Sequence, residues 1–223
     1  MQNGSAAQTI AVLGAICDEI ERSKDYLCEL DAALGDGDHG VSMAKSFNAV
    51  KAKLPDLAGG DVSAILHSVG MTLISEVGGA MGPLFGTAFL RAGKAADGKS
   101  AISPADVAEM LAAAEAGVIQ RGKAQPGDKT MLDAIHPAVE AARQAEAAGA
   151  GTAGVLAAAA EAAQAGAVST KELVAKVGRA SRLGERTLGH QDPGATSVSI
   201  ILRVAADALA DANAPAANAD TGR

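Results

Sequence analysis

The 223-residue chain has no tryptophan, one tyrosine and three phenylalanines, so aromatic rings make up only 2% of it. A platform of rings for stacking nucleic-acid bases is thereby excluded. The net charge of −7 argues against a nucleic-acid backbone or an anionic membrane as partner. Cysteine is scarce too: Cys17 and Cys28 stand alone, and both are expected on early helices as small hydrophobes. No uncharged apolar run approaches the roughly 18 residues that cross a bilayer. The start also lacks the basic and apolar regions of a secretory leader, so a cytoplasmic setting is expected. Gly-x-x-x-x-Gly-Lys-Ser/Thr does not occur, so the chain is not a P-loop protein. Convincing polar/apolar alternation is missing as well, which argues against a sheet.

What remains is 48% hydrophobic and dominated by alanine, which favours helix. Val62, Ile65, Leu66, Val69 and Leu73 trace one helical face. Val107, Met110, Leu111, Ala114 and Val118 trace another, and Met43, Phe47, Val50 and Leu54 a third. Further helices are expected over about 8–32, 83–96, 130–147, 152–166, 170–180 and 195–211, with Asp61, Ser103 and Ser169 as N-caps. Ala153 to Ala167, punctuated by Glu161 and Gln164, reads as a surface helix with a thin apolar stripe. Ser197 to Val204 could be a strand, but its alanine-rich continuation favours helix. The whole reads as one all-α domain over 1–211, of roughly eight helices, followed by a disordered tail over 212–223. The first few residues are expected to be loose as well.

The most informative feature is Glu29-Leu-Asp-Ala-Ala-Leu-Gly-Asp-Gly-Asp-His-Gly-Val-Ser42. Asp31, Asp36 and Asp38 crowd three carboxylates together, and each resists ionisation unless a cation joins them. A hard divalent ion with oxygen ligands, Mg2+ foremost, removes the conflict. Gly35, Gly37 and Gly40 match the dinucleotide fingerprint literally, but the preceding residues read as helix and not as strand. A calcium loop fails because its twelfth position, counted from Asp36, is Phe47. The bland alternative is a solvated acidic turn.

Three more glycine-rich interruptions follow. Gly78 to Thr87 places Pro83 in a first helical turn, where free amides can hold a phosphate; tight helix packing through Gly82 and Gly86 is the competing reading. Arg121 to Asp133 supplies Arg121, Lys123 and Lys129 against phosphate charge, or is a solvated turn. Gly178 to Ala195 holds Arg179, Arg182, Arg186, His190 and Asp192, or is a plain polar connection. His136 reads as a surface or structural histidine, and His67 as a packed core one. In an up-and-down bundle alternate loops share one end, so all four interruptions are expected on one rim.

Gly35-Asp-Gly-Asp-His-Gly40, Gly78-Gly-Ala-Met-Gly-Pro-Leu-Phe-Gly-Thr87, Gly127-Asp-Lys-Thr-Met-Leu-Asp133 and His190-Gln-Asp-Pro-Gly-Ala195, in this order, resemble the dihydroxyacetone kinase L-subunit family. The resemblance covers about residues 8 to 211. It implies a closed all-α barrel of eight antiparallel helices with the nucleotide, ADP or ATP, at one end. It implies that Asp31, Asp36 and Asp38 hold two Mg2+ ions on the phosphates, which His39, Gly40, Val41, Ser42, Gly79, Ala80 and Met81 line. Gly122, Met131, Arg179, Asp192, Pro193 and Gly194 would hold the rest of the nucleotide, Met131 against adenine. Two departures stand out. Met81 replaces the usual serine, and Val41 and Ser42 stand where threonine or asparagine is common.

The resemblance further implies phosphoryl transfer to a short-chain ketose, dihydroxyacetone first, held on a separate K subunit. Bound ADP would be rephosphorylated by a phosphotransferase-system M subunit, or ATP would exchange freely. Other expected associations are a transcription regulator and a homodimer. The alternatives are a kinase subunit for another three- or four-carbon ketose and a nucleotide-sensing regulatory module.

Overall fold

The computed structural model describes residues 4–99 and 101–213. Nine α-helices are found among them: α1 (Ala6–Arg22), α2 (Lys24–Ala32), α3 (His39–Lys53), α4 (Val62–Glu76), α5 (Met81–Ala95), α6 (Pro104–Gly122), α7 (Leu132–Ala147), α8 (Thr152–Ser169) and α9 (Pro193–Asn213). Two-residue strands β1 (Gly4–Ser5) and β2 (Ala101–Ile102) pair antiparallel. Ser5 also starts α1 through a capping box with Gln8.

The expected helix over 8–32 is broken only at Ser23, so α1 and α2 form one kinked arm. The packing then runs α1, α3, α4, α5, α6, α7, α8, α9 and back to α1, a closed ring of eight. Short connections make neighbours antiparallel. The interior is mostly aliphatic: Ile20, Leu27, Met43, Ile65, Leu73, Leu132 and Val139 are fully buried, with Phe47 among them. The scarce aromatics meet once, where the Phe47 and Phe89 rings pack edge to face 6.3 Å apart. The ring is not completely filled at the end where α1, α4 and α6 begin. There Val12, Leu66, Phe89, Met110 and Leu156 line an apolar cavity of about 200 Å³.

Most expected faces are as read: Val62, Ile65, Leu66, Val69 and Leu73 are all buried, and so are Met43, Phe47, Val50 and Leu54. His67 is not; it follows Leu66 by one residue and the 100° step swings it to the exposed outer face. His136 is exposed, with Nδ1 2.7 Å from Glu115 Oε1. Helix α8 is a barrel wall and no peripheral helix, because Val155, Ala159, Ala160, Ala163 and Ala167 are fully buried between α7 and α9. Ser197 to Val204 is helical, inside α9.

The helix expected over 170–180 does not form. One 3-10 turn, Thr170–Glu172, ends at extended Leu173, and Gly178 takes φ +70. The backbone is diverted instead: Ala175 N donates to Thr187 Oγ1 at 3.0 Å and Lys176 N to Asp128 O at 3.1 Å. Ser169, expected as a cap, bonds back to Gly166 O at 2.8 Å. Of the tail expected over 212–223, Ala212 and Asn213 are helical, in α9; 214–223, like 1–3, lie outside the described residues. Among the described residues no helix is long and apolar enough to cross a membrane.

Candidate functional site

The connections α2–α3, α4–α5, α6–α7 and α8–α9 meet at one end of the ring. They surround a cavity of about 780 Å³, within the roughly 300–1,000 Å³ of small-molecule sites. The rim expected from the glycine-rich interruptions is therefore present.

Asp31, in the last turn of α2, organises its first corner. Its Oδ2 accepts Asp38 N at 3.0 Å and His39 N at 3.2 Å, folding the loop back onto the helix end. A Cβ on Gly35 would lie 2.7 Å from Asp31 Oδ1, and Gly37 adopts φ +76, so both glycines are required by this turn. Oxygens of Asp31, Asp36 and Asp38 lie within 4.8 Å of one another; Asp36 and Asp38 are exposed. Hard oxygen donors of one charge, with no thiolate or imidazole among them, match Mg2+ chemistry. Arg179 reaches across from the α8–α9 connection to pair with Asp36.

His39 heads α3. Its Nε2 lies 2.9 Å from Ser197 Oγ, which itself donates to Pro193 O at 2.9 Å, so the imidazole donates and ties α3 to α9. Burial pushes this imidazole down to about 4, with Asp31 pulling the other way. Ser42 lines the cavity. Gly40 and Val41 do not. Gly40 is buried against α2, where a Cβ would sit 1.9 Å from Lys24 O, and Val41 is exposed. Their amides are nevertheless without an intramolecular partner among the described residues, as are those of Met81 and Gly82. The first-turn amides of α3 and α5 thus have no side-chain cap. By contrast, α1, α4 and α6 begin at the far end under the side chains of Ser5, Asp61 and Ser103. Uncapped starts on the rim favour an anion.

The second corner is Val77 to Met81, with Gly79 at φ +73. The packing reading of this stretch holds, and the stretch also borders the cavity. Gly79, Ala80 and Met81 line the cavity, whereas Gly86 packs against α4, where its Cβ would sit 2.6 Å from Gly70 O. At the third corner Gly122 and Met131 line the cavity, Met131 being 5% exposed. Arg121 lines it too; Lys123 is instead the exposed, left-handed cap of α6. Lys129 is buried and its Nζ donates to His190 O at 2.6 Å and to Thr170 O, so the ammonium closes the base of the α8–α9 connection. Burial lowers its pKa, while Asp192 and Asp133 raise it.

At the fourth corner Arg179, Asp192, Pro193 and Gly194 line the cavity. Asp192 Oδ2 caps α9 by accepting Ala195 N at 2.7 Å. Burial pushes this carboxyl up to about 7, the Ala195 amide opposing. The apolar lining of Leu84, Phe85, Val118, Ala124 and Val177 escaped the sequence reading. Leu84 and Val118 were legible in part, as inward positions at the rim ends of α5 and α6.

The DAK2 domain model matches residues 33–207. The chain is 44% identical over 202 residues, 91% of it and 96% of the relative, to the PEP-dependent dihydroxyacetone kinase, ADP-binding subunit DhaL of Escherichia coli K12. It is 39% identical to the PTS-dependent dihydroxyacetone kinase, ADP-binding subunit DhaL of Lactococcus lactis, covering 91% of this chain and 97% of that one. The dihydroxyacetone kinase of C. freundii, in its native crystal form, superposes with a TM-score of 0.71 at 26% identity. Its complex with AMP-PNP and Mg2+ gives 0.70; 93% of this chain is covered but 35% of that one. With the fold, the rim and the order of its motifs in agreement, the chain belongs to the DAK2 domain family.

Proposed function

We propose that the rim cavity binds ADP or ATP with two Mg2+ ions. The chain would then serve as the nucleotide subunit of a dihydroxyacetone kinase, its ketose held on a separate K subunit. The carrying observation is the joining of three carboxylates, oxygens within 4.8 Å, to uncapped helix starts and an apolar pocket in one cavity. Acidic ligands, anion-binding amides and an apolar recess answer to metal, phosphate and base. Similarity along nearly the whole length of separate ADP-binding subunits supports the mode in which bound ADP is rephosphorylated by an M subunit.

Bound Mg2+ supplies charge neutralisation and a template for in-line phosphoryl transfer. Asp31, already oriented by two backbone amides, and the exposed Asp36 and Asp38 would hold it. The uncapped first turns of α3 and α5, which border the cavity at His39, Ser42, Ala80 and Met81, would receive phosphate oxygens, and Met131, Leu84 and Val118 would shelter the base. No side chain of the chain is assigned a covalent step; positioning and electrostatics carry the transfer. A second acceptor, a four-carbon ketose, is favoured by 32% identity to the D-erythrulose kinase of Mycolicibacterium smegmatis, of which the chain spans 34%.

Calorimetry tests the reading. Asp36→Asn or Asp38→Asn should abolish Mg2+-dependent ADP binding with helix content unchanged, and unaltered affinity would sink it. Mass spectrometry of gently purified protein decides the mode, since ADP retained through gel filtration points to the M-subunit route.

A further inference from the structure

Residues 176–186 form a strap over the cavity mouth, and not one of them is buried. Its base is firmly tied. Lys129 Nζ joins Thr170 O to His190 O, Gly189 N donates to Lys171 O at 2.8 Å, and Ala175 N to Thr187 Oγ1. Its tip is not. Gly178 and Gly184 take φ +70 and +57, and a Cβ on either would meet nothing within 4 Å. Among the described residues, the tip between Gly178 and Arg186 makes one ion pair to the barrel, Arg179 with Asp36. Asp36 is also one of the three clustered carboxylates.

The geometry points to Arg179 as a built-in stand-in for the cation at Asp36, which a divalent metal must displace, so that metal occupancy releases the strap tip. The inference rests on the metal-site reading above. A guanidinium is always charged and holds a carboxylate in a fixed fork, so it competes with a metal for the same oxygens. Competition is reciprocal: whatever loosens the Arg179 contact strengthens metal binding, and metal binding loosens the strap by the same factor. The pair is exposed, which keeps the latch weak enough to open.

The test uses the full chain, freed of metal and nucleotide, with Mn2+ as the spin probe read by electron paramagnetic resonance. Arg179→Gln should bind Mn2+ about two- to fivefold more tightly than wild type at low salt, the gap closing as salt rises. Arg182→Gln, a strap arginine outside the ion pair, controls for charge alone and should change affinity much less. Amide exchange over 178–186 should speed up when wild type is saturated with Mn2+, and be already fast in Arg179→Gln without metal. Unchanged or weaker Mn2+ binding in Arg179→Gln, an equal effect of Arg182→Gln, or slower strap exchange with Mn2+ overturns the latch alone. Failure of every form to bind Mn2+, with or without ADP, overturns the metal site and the latch together.

Discussion

At Gly40 the first turn of α3 touches the backbone of α2, and a Cβ would fall 1.9 Å from Lys24 O and 2.9 Å from Cys28 N. Both obstacles are main chain, so neither can swing aside. Gly40→Ala should therefore cost about 3 kcal/mol, read in urea as a lower midpoint at unchanged slope. A midpoint within error of wild type would refute the contact. Asp192 makes a prediction of opposite character. Its carboxyl is pushed up to about 7, against about 3.9 unfolded. Between those values the native state holds the extra proton, so the contribution of this group is complete below about pH 4 and is lost as pH rises through 7. Asn caps a helix as well as Asp, so Asp192→Asn keeps the Ala195 contact and drops the ionisation. Relative to wild type it should gain about 1–3 kcal/mol more at pH 8 than at pH 5. Equal offsets at the two pH values would contradict the burial of this carboxyl. Neither feature was legible in the sequence: a glycine in a phosphate-type loop reads as a ligand contact, and only the placement of α2 shows that Gly40 is needed for packing.

Helix starts differ in what answers their first-turn amides. Ser103 completes a capping box on α6 with Asp106, whereas α5 starts at Ala80 with no side-chain partner for the Gly82 amide. Ser103→Ala should cost about 1 kcal/mol and leave ADP affinity alone. Ala80→Asp should do the reverse. A carboxylate there answers the helix start but places negative charge where the proposed site would receive phosphate, so ADP binding should weaken tenfold or more without loss of melting temperature. Undiminished ADP binding in Ala80→Asp would remove α5 from the anion site. Apolar spacing made α3, α4 and the buried stripe of α6 legible, because each presents one side to the core. It failed at 170–180, where Leu173, Val174 and Val177 mimic a helical stripe but the amides of Ala175 and Lys176 go to Thr187 and Asp128. Those partners lie far along the chain and leave no local signal. Pro137 shows the converse: it lies inside α7 without breaking it. Its missing N–H frees Asp133 O, on which Gly166 of α8 closes so tightly that a Cβ would stand 2.1 Å away.

The ring as a whole explains why four separate interruptions in the sequence become one site. Each antiparallel pair returns the chain to the same end, so every second connection is a rim loop, and the α1–α9 contact closes the circle. That convergence followed from helix count and loop spacing alone; the depth of the cavity did not, since it depends on inward residues such as Val118. A ligand spanning the rim touches the starts of α3, α5, α7 and α9, and so links parts of the ring that are distant in sequence. Binding only the closed ring, it should stabilise the entire cooperative unit and not one loop. At about 100 times its dissociation constant, ADP with Mg2+ should add about 2.7 kcal/mol to unfolding. Calorimetric melts would show a single transition moving upward without broadening. Chelation of the metal should remove the shift, because the phosphates then face Asp31, Asp36 and Asp38 without a bridging cation. Asp38→Asn should likewise show little or none. The same upward shift in the presence of chelator would mean that the nucleotide is held without the carboxylates, and the rim would then have to be reassigned to its amides and arginines alone.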